Sequence, residues 1–148
     1  MILKINNILN KIYRQNSSVF GGYGWGDFYK KWSGCDISYP YLNAFSLNKR
    51  FEKGLSIVDV TVSVSDIIRE NESNILEVEN STFAILRDLL NLLNSELKKH
   101  DMLISGNTNL TFFTNRGGDN VAGHYAVISI SQFDGLDTCN NILTLCNE

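Results

Sequence analysis

The chain has 148 residues, of which 43% are hydrophobic and 20% are charged, and its formal net charge is −3. This length is typical of one domain whose core needs neither metal nor disulfide, and the composition argues against a disordered or a membrane class. The negative charge argues against a dedicated nucleic-acid binder, whose affinity would depend on Lys and Arg, and leaves open only a local basic patch.

The cysteines and the N-terminus indicate synthesis in a reducing compartment. Cys35, Cys139 and Cys146 are odd in number and lack metal-ligand spacing, so a disulfide scaffold is not expected. The first ten residues are interrupted by Lys4 and by paired asparagines, unlike a signal peptide. No run approaches the roughly 18 apolar residues of a spanning helix. We therefore expect a soluble, cytosolic product with no membrane partner.

The first predicted element is an amphipathic helix over residues 1–16. Its apolar positions recur at helical spacing, and polar residues 15–18 end it. These positions are Ile2, Ile5, Ile8 or Leu9, and Ile12. The apolar stripe packs either on the sheet of its own domain, which is the favoured interpretation, or on a neighbouring subunit.

Residues 17–38 are predicted to form a long ordered loop in which glycines alternate with large aromatic side chains. No single period is sustained. A phosphate-binding loop is disfavoured because the Gly-Lys-Ser/Thr ending is missing. The rings either pin the loop to its own core or anchor a protein partner. The candidate interface residues here are Phe20, Tyr23, Trp25, Phe28 and Trp32.

Two strands are predicted next, over residues 39–47 and 54–66. The second alternates strictly, so one face is expected to be core and the other solvent-exposed. Its apolar positions are Val58, Val60, Val62 and Val64. The charged connection 48–54 suits a hairpin turn or a longer projecting loop, and Arg50 and Phe51 are candidate interface residues.

The longest predicted helix runs from Ile75 to Leu97, with Ser73 or Asn74 as the expected N-cap. Its apolar stripe consists of Ile75, Val78, Thr82, Ile85, Leu86, Leu89, Leu93 and Leu97. Further apolar residues widen this face beyond the needs of one sheet, and Leu89 and Leu92 are therefore candidate subunit-interface residues. His100 is interpreted as a cation at the helix end.

The last predicted unit is a long hairpin formed by residues 109–115 and 121–133, with its turn at 116–120, followed by a tail over 134–148. The predicted fold is α+β and consists of one domain, residues 1–148. An antiparallel sheet of about four strands has the N-terminal helix and one long central helix packed on one face. Residues 39–133 form the β-β-α-β-β core.

Catalytic chemistry has few candidates in this sequence: His124, Asp119, Cys139 and the acidic pair Asp66 and Glu70. No orienting motif accompanies His124, which is expected to be a surface residue at a strand end. The histidines and cysteines have no paired spacing for a metal. We therefore expect a protein that is not an enzyme and has no catalytic residue, metal or cofactor.

The order of elements resembles the neck and tail-terminator-like ring proteins of crAss-like and related tailed phages of Bacteroidetes. The resemblance rests on Tyr-Pro-Tyr at 39–41, the strand 57–64, the helix start 74–78 and, above all, residues 113–124. In that last segment Asp-Asn-Val-Ala-Gly is followed by an aromatic position, which His124 fills here. The motif residues are Arg116, Asp119, Asn120, Gly123 and His124.

The resemblance implies a tail-terminator-like fold and a structural role in the virion. Copies of the chain would form a homo-oligomeric ring at the head-tail junction, around a channel through which DNA passes only as cargo. Neighbouring neck, portal or tail proteins would be its other partners, and assembly would take place in the host cytoplasm.

Two other classes of function remain open at this stage. The first is a monomeric or dimeric adaptor that binds one protein partner. The second, less favoured, is a small ligand-binding protein or enzyme with a pocket near Trp25, Trp32 and His124.

Overall fold

The computed structural model describes residues 1–26, 37–115 and 120–133, which form two helices and six strands. The helices are α1 (Ile2–Gln15) and α2 (Ile75–Lys98). The strands are β1 (Gly22–Trp25), β2 (Tyr41–Glu52), β3 (Leu55–Ile67), β4 (Met102–Ser105), β5 (Thr111–Asn115) and β6 (Val121–Phe133).

All six strands belong to one sheet with the order β1-β2-β3-β6-β4, and β5 also pairs with β6. Strand β1 runs parallel to β2, and the other pairs are antiparallel. Strand β6 pairs along its whole length with β3, so β4 and β5 share its other edge. The predicted α+β class is confirmed, whereas the sheet is mixed and has six strands in the described residues instead of about four.

Both helices pack on the same face of this sheet, because they share one hydrophobic cluster with the alternating valines of β3. The predicted buried face of β3 and the apolar stripes of both helices are confirmed, and α1 packs on its own domain. The opposite face of β3 is not solvent-exposed throughout, because Thr61 and Ser65 are buried there. The fully or almost fully buried residues include Ile5, Leu9, Leu42, Val58, Val60, Val62, Leu86, Leu93, Leu97, Met102, Ile128 and Ile130.

The segment predicted as a loop over residues 17–38 contains strand β1. Here a side chain would not fit, since a Cβ atom on Gly21 would lie 2.6 Å from the carbonyl oxygen of Tyr39. A Cβ on Gly22 would lie 2.9 Å from the ring of Tyr41. These glycines made the strand hard to recognise in the sequence, and they are what allows its backbone to lie close to residues 38–41. Residues 27–36, with Phe28, Trp32 and Cys35, lie outside the described residues.

The charged connection predicted at 48–54 is mostly strand. Strand β2 continues to Glu52, and the turn consists only of Lys53 and Gly54, whose φ angles are 49° and 80°. Two consecutive positive φ angles are typical of a type I′ turn, which suits the twist of a hairpin. The register shifts between Ser46 and Lys49, which adds one residue to β2 as a bulge.

The start of α2 differs from the expected cap. Asn74 is the N-cap residue, but neither it nor another side chain caps the first turn. Its side chain instead accepts a bond from the backbone N–H of Arg69 at 2.8 Å and donates to the carbonyl of Ile67 at 3.1 Å. The Asn74 side chain thus links the loop after β3 to the start of α2.

The final hairpin is confirmed as β5 and β6, with Asn115 opposite Val121. The short strand β4 was not predicted, and its pairing leaves β6 inside the sheet instead of at its closing edge. Residues 116–119, with Arg116 and Asp119, lie outside the described part, as does the predicted tail 134–148 with Cys139 and Cys146.

Candidate interaction surfaces

His124 is a buried packing residue, not the strand-end surface residue that the sequence suggested. It lies on the helix-covered face of β6 and is 5% exposed. Its Nδ1 atom is 2.9 Å from the Thr82 hydroxyl of α2. The rings of Phe83 and Phe112 pack around it, with centroids 5.6 and 5.3 Å from its own. The histidine thus joins β6 to α2 from inside the domain.

The bonds of Thr82 assign the tautomer of His124. The Thr82 hydroxyl has one proton and lies 2.7 Å from the carbonyl oxygen of Val78, which can only accept. We therefore assign the donor role to the hydroxyl at Val78 and to Nδ1–H at Thr82. Burial lowers the pKa of His124, and the charge of Glu79 offsets part of that effect. The neutral ring is the favoured form at pH 7.

The stability of the domain is expected to fall as the pH drops below 6.5, the ordinary pKa of histidine. The folded protein binds the His124 proton less readily than the unfolded chain, so the loss continues down to the lowered folded pKa. The slope for one proton is at most about 1.4 kcal/mol per pH unit. Urea unfolding of the wild type and of His124→Gln between pH 7.5 and 5 measures it.

The His124→Gln variant should lose this slope, whatever its absolute stability. The contributions of Asp59 and Glu96 do not interfere, because hydrogen bonds from Ser129 and Lys99, respectively, hold the pKa values of those carboxyls below their ordinary 3.8 and 4.5. Stability from these two groups is lost only at more acidic pH. An identical slope in both proteins would contradict the assignment.

The other chemical candidates do not converge on a site. Asp66 accepts a bond from the backbone N–H of Ile67 at 2.8 Å, and Glu70 is exposed. Asp119 and Cys139 lie outside the described residues. Within residues 1–26, 37–115 and 120–133, no three His, Cys, Asp or Glu side chains lie together as a metal site would require.

The sequence-predicted interface residues divide between core and surface. Leu89 is 2% exposed and Phe20 is 5% exposed, and both belong to the hydrophobic core. Both side chains are thus already packed against the domain itself, and little of either is left for a contact with a second subunit. Tyr23 donates to the Asn6 side chain at 2.5 Å, and half-buried Trp25 packs against the core.

Three of the predicted interface residues do lie at the surface. Leu92 is 49% exposed on α2, and Phe51 is 68% exposed near the end of the β2–β3 hairpin. Arg50 is also exposed and forms an ion pair with Asp59 of β3, with Nη1 2.9 Å from Oδ2. This ion pair links β2 to β3 within the hairpin.

Two residues of the hairpin motif have clear packing roles. The carbonyl of Asn120 accepts a bond from the N–H of Ile68 at 2.9 Å. Gly123 lies where a Cβ atom would overlap the carbonyl oxygen of Val64 and lie 2.8 Å from the Cα of Ser65. At Gly123 the backbones of β6 and β3 therefore lie too close for a side chain.

The face of the sheet that the helices do not cover, which we term the outer face, exposes apolar side chains. Tyr125 and Val127 of β6 and Leu103 of β4 are exposed there. Phe113 of β5 packs beside Tyr125, with ring centroids 6.1 Å apart. Tyr125 and Val127 are neighbours on one strand, whereas Leu103 pairs with Ser131 farther along β6. Neighbouring exposed apolar side chains on a sheet face are typical of protein-protein contact sites.

The two ends of β3 form contrasting surfaces. One end is the hairpin tip, residues 48–53, in which the exposed Phe51 lies in a segment that contains three basic residues. The other is the acidic end, residues 66–79, where Ile67 is 50% exposed and Leu76 is 76% exposed. Sequence reasoning missed these last two residues. Leu76 departs from the apolar stripe of α2, and a helical wheel marks it as a surface leucine.

Comparison with known proteins finds no matching family model and no matching curated protein. Among the described residues, neither helix is long and apolar enough to cross a membrane.

Proposed function

We propose that this chain is a structural protein that assembles into a homo-oligomeric ring at the head-tail junction of a tailed phage, around the DNA channel. The observation that carries the proposal is the outer face of the sheet. Leu103, Tyr125 and Val127 are exposed there, on the side opposite to both helices. Burial of this apolar face against other copies would add hydrophobic stabilisation that an isolated domain does not have.

Two further features support this role. The segment on which the family resemblance rests includes Val121 and Ala122, which are fully buried, and Gly123, where β6 lies close to β3. The chain is also mildly acidic overall, so a ring made of it would not bind tightly to DNA that must slide past.

The mass of the protein in solution, measured by light scattering over a wide concentration range, tests the proposal. We expect a discrete assembly of more than two copies, and a shift toward monomer for Val127→Lys, which places a charge on the outer face. Exposed Val19, on the helix side of the fold, offers the control Val19→Lys. A monomer at all concentrations, or a dimer that grows no further, would contradict the ring.

Position in the virion has a separate test. In phage particles that contain this protein, gold-labelled antibodies against it should mark the head-tail junction. Labelling of the capsid shell or of the tail tip would contradict the proposed place.

A further inference from the structure

The hairpin tip combines an apolar anchor with unpaired positive charge. Three of its six residues, Lys49, Arg50 and Lys53, are basic, against one carboxylate, Glu52. Arg50 is engaged by Asp59, whereas Lys49 and Lys53 form no ion pair within the part of the chain that the structure describes. Phe51 lies among them and is exposed by two thirds of its surface.

The acidic end has the complementary composition. Five carboxylates and a single arginine occupy residues 66–79. The carboxylates are Asp66, Glu70, Glu72, Glu77 and Glu79. Leu76 and Ile67 are exposed within this segment, and the Asn74 side chain ties the end of β3 to the start of α2. This surface is thus pre-organised, which lowers the entropic cost of binding.

The two ends cannot meet within one molecule. Strand β3 runs from Leu55 beside the tip to Ile67 in the acidic end, and at about 3.3 Å per residue its 13 residues span roughly 40 Å. The basic tip and the acidic end can therefore contact each other only between two copies that lie head to tail.

We infer that the hairpin tip of one copy binds the acidic end of the next, with Phe51 packed against Leu76 and Ile67. Lys49 and Lys53 then face the carboxylates around these two side chains. The inference rests on the proposed ring and adds, beside burial of the outer face, a second contact between neighbouring copies. Such a contact is heterologous, since it joins two different surfaces and leaves one of each free to continue the assembly. A ring results when the rotation between neighbours closes.

Two variants that each disable one surface test the contact. Phe51→Asp removes the anchor of the tip, and Leu76→Asp adds a charge to the acidic end. Both side chains are highly exposed, so both variants should fold. Each alone is expected to weaken self-association by about 30-fold or more, as loss of an interface anchor does. Leu92→Asp, at an exposed position in the middle of α2, is the control and should assemble like the wild type.

Mixing the two variants gives the decisive measurement. The intact tip of Leu76→Asp fits the intact acidic end of Phe51→Asp, so the mixture should associate more tightly than either variant alone, with one tip contact for each pair of unlike copies. This association should weaken as salt is raised, because the facing charges are screened. Circular dichroism and thermal melts of each variant verify that a loss of association is not a loss of fold.

The outcomes separate this contact from the proposed function. If the wild type assembles and either variant assembles equally well, or if the mixture stays monomeric, the tip-to-acidic-end contact is wrong while the ring stands. If the wild type is monomeric at every concentration, both are overturned. A tip variant that is monomeric, combined with an acidic-end variant that assembles normally, would indicate a symmetric tip-to-tip contact instead.

Discussion

Replacing Gly123 by alanine is expected to lower the free energy of unfolding by more than about 3 kcal/mol, a large part of the total stability of an ordinary domain. The added Cβ would overlap the carbonyl oxygen of Val64. Strand β6 has no room to retreat, because β3 pairs along one of its edges and β4 and β5 along the other. Urea unfolding followed by circular dichroism measures the loss.

Gly106→Ala is the matched control for this prediction. Gly106 has a φ angle of 78°, and a Cβ there would meet no atom within 4 Å. Its replacement adds only the cost of a left-handed conformation, about 1–2 kcal/mol. If both variants lost the same stability, the close approach of β6 to β3 would not be what requires glycine at position 123.

The elements that sequence reasoning located best are those whose burial is one-sided. Helices α1 and α2 and strand β3 each present one apolar face to a single partner layer, so their periodicity survives intact in the sequence. Strand β1 is hidden because close backbone contact requires glycine, which lowers β propensity. Strand β4 has only four residues, too few to show an alternation.

The second half of β2 could not be recognised for a different reason. From residue 47 to residue 52 it is exposed, and β1 pairs only with residues 41–44. A strand end without a buried face has no need of apolar residues, and charged residues also suit an edge strand. The same charges that made the segment look like a loop create the basic surface of the hairpin tip.

The sequence pattern indicates only part of the environment of His124. Ala122, Ala126, Ile128 and Ile130 alternate with it along β6, and this alternation places the histidine on the buried face. Its partner Thr82 is 42 residues away, and no local pattern connects the two. The spacing along β6 thus favoured burial over the surface position that we expected for His124, whereas the hydrogen bond to α2 required the fold.

Leu89→Ala is expected to lower the free energy of unfolding by about 2–4 kcal/mol, because the side chain is almost completely buried in the core beneath α2. Leu92→Ala, three residues further on and half exposed, should change it by less than about 0.5 kcal/mol. Both substitutions place alanine in the interior of a long helix, so helix propensity contributes little to either. Urea unfolding at a concentration where the protein is monomeric gives both values.

This pair also separates core packing from assembly. A leucine at a subunit interface would leave the stability of the monomer unchanged on truncation and weaken only self-association. Leu89→Ala should do the reverse, with a loss of stability that is independent of protein concentration. A Leu89→Ala monomer as stable as the wild type would mean that the Leu89 side chain is not packed in the core of the monomer. The apolar surplus on α2 would then again be a candidate subunit contact, in competition with the acidic end.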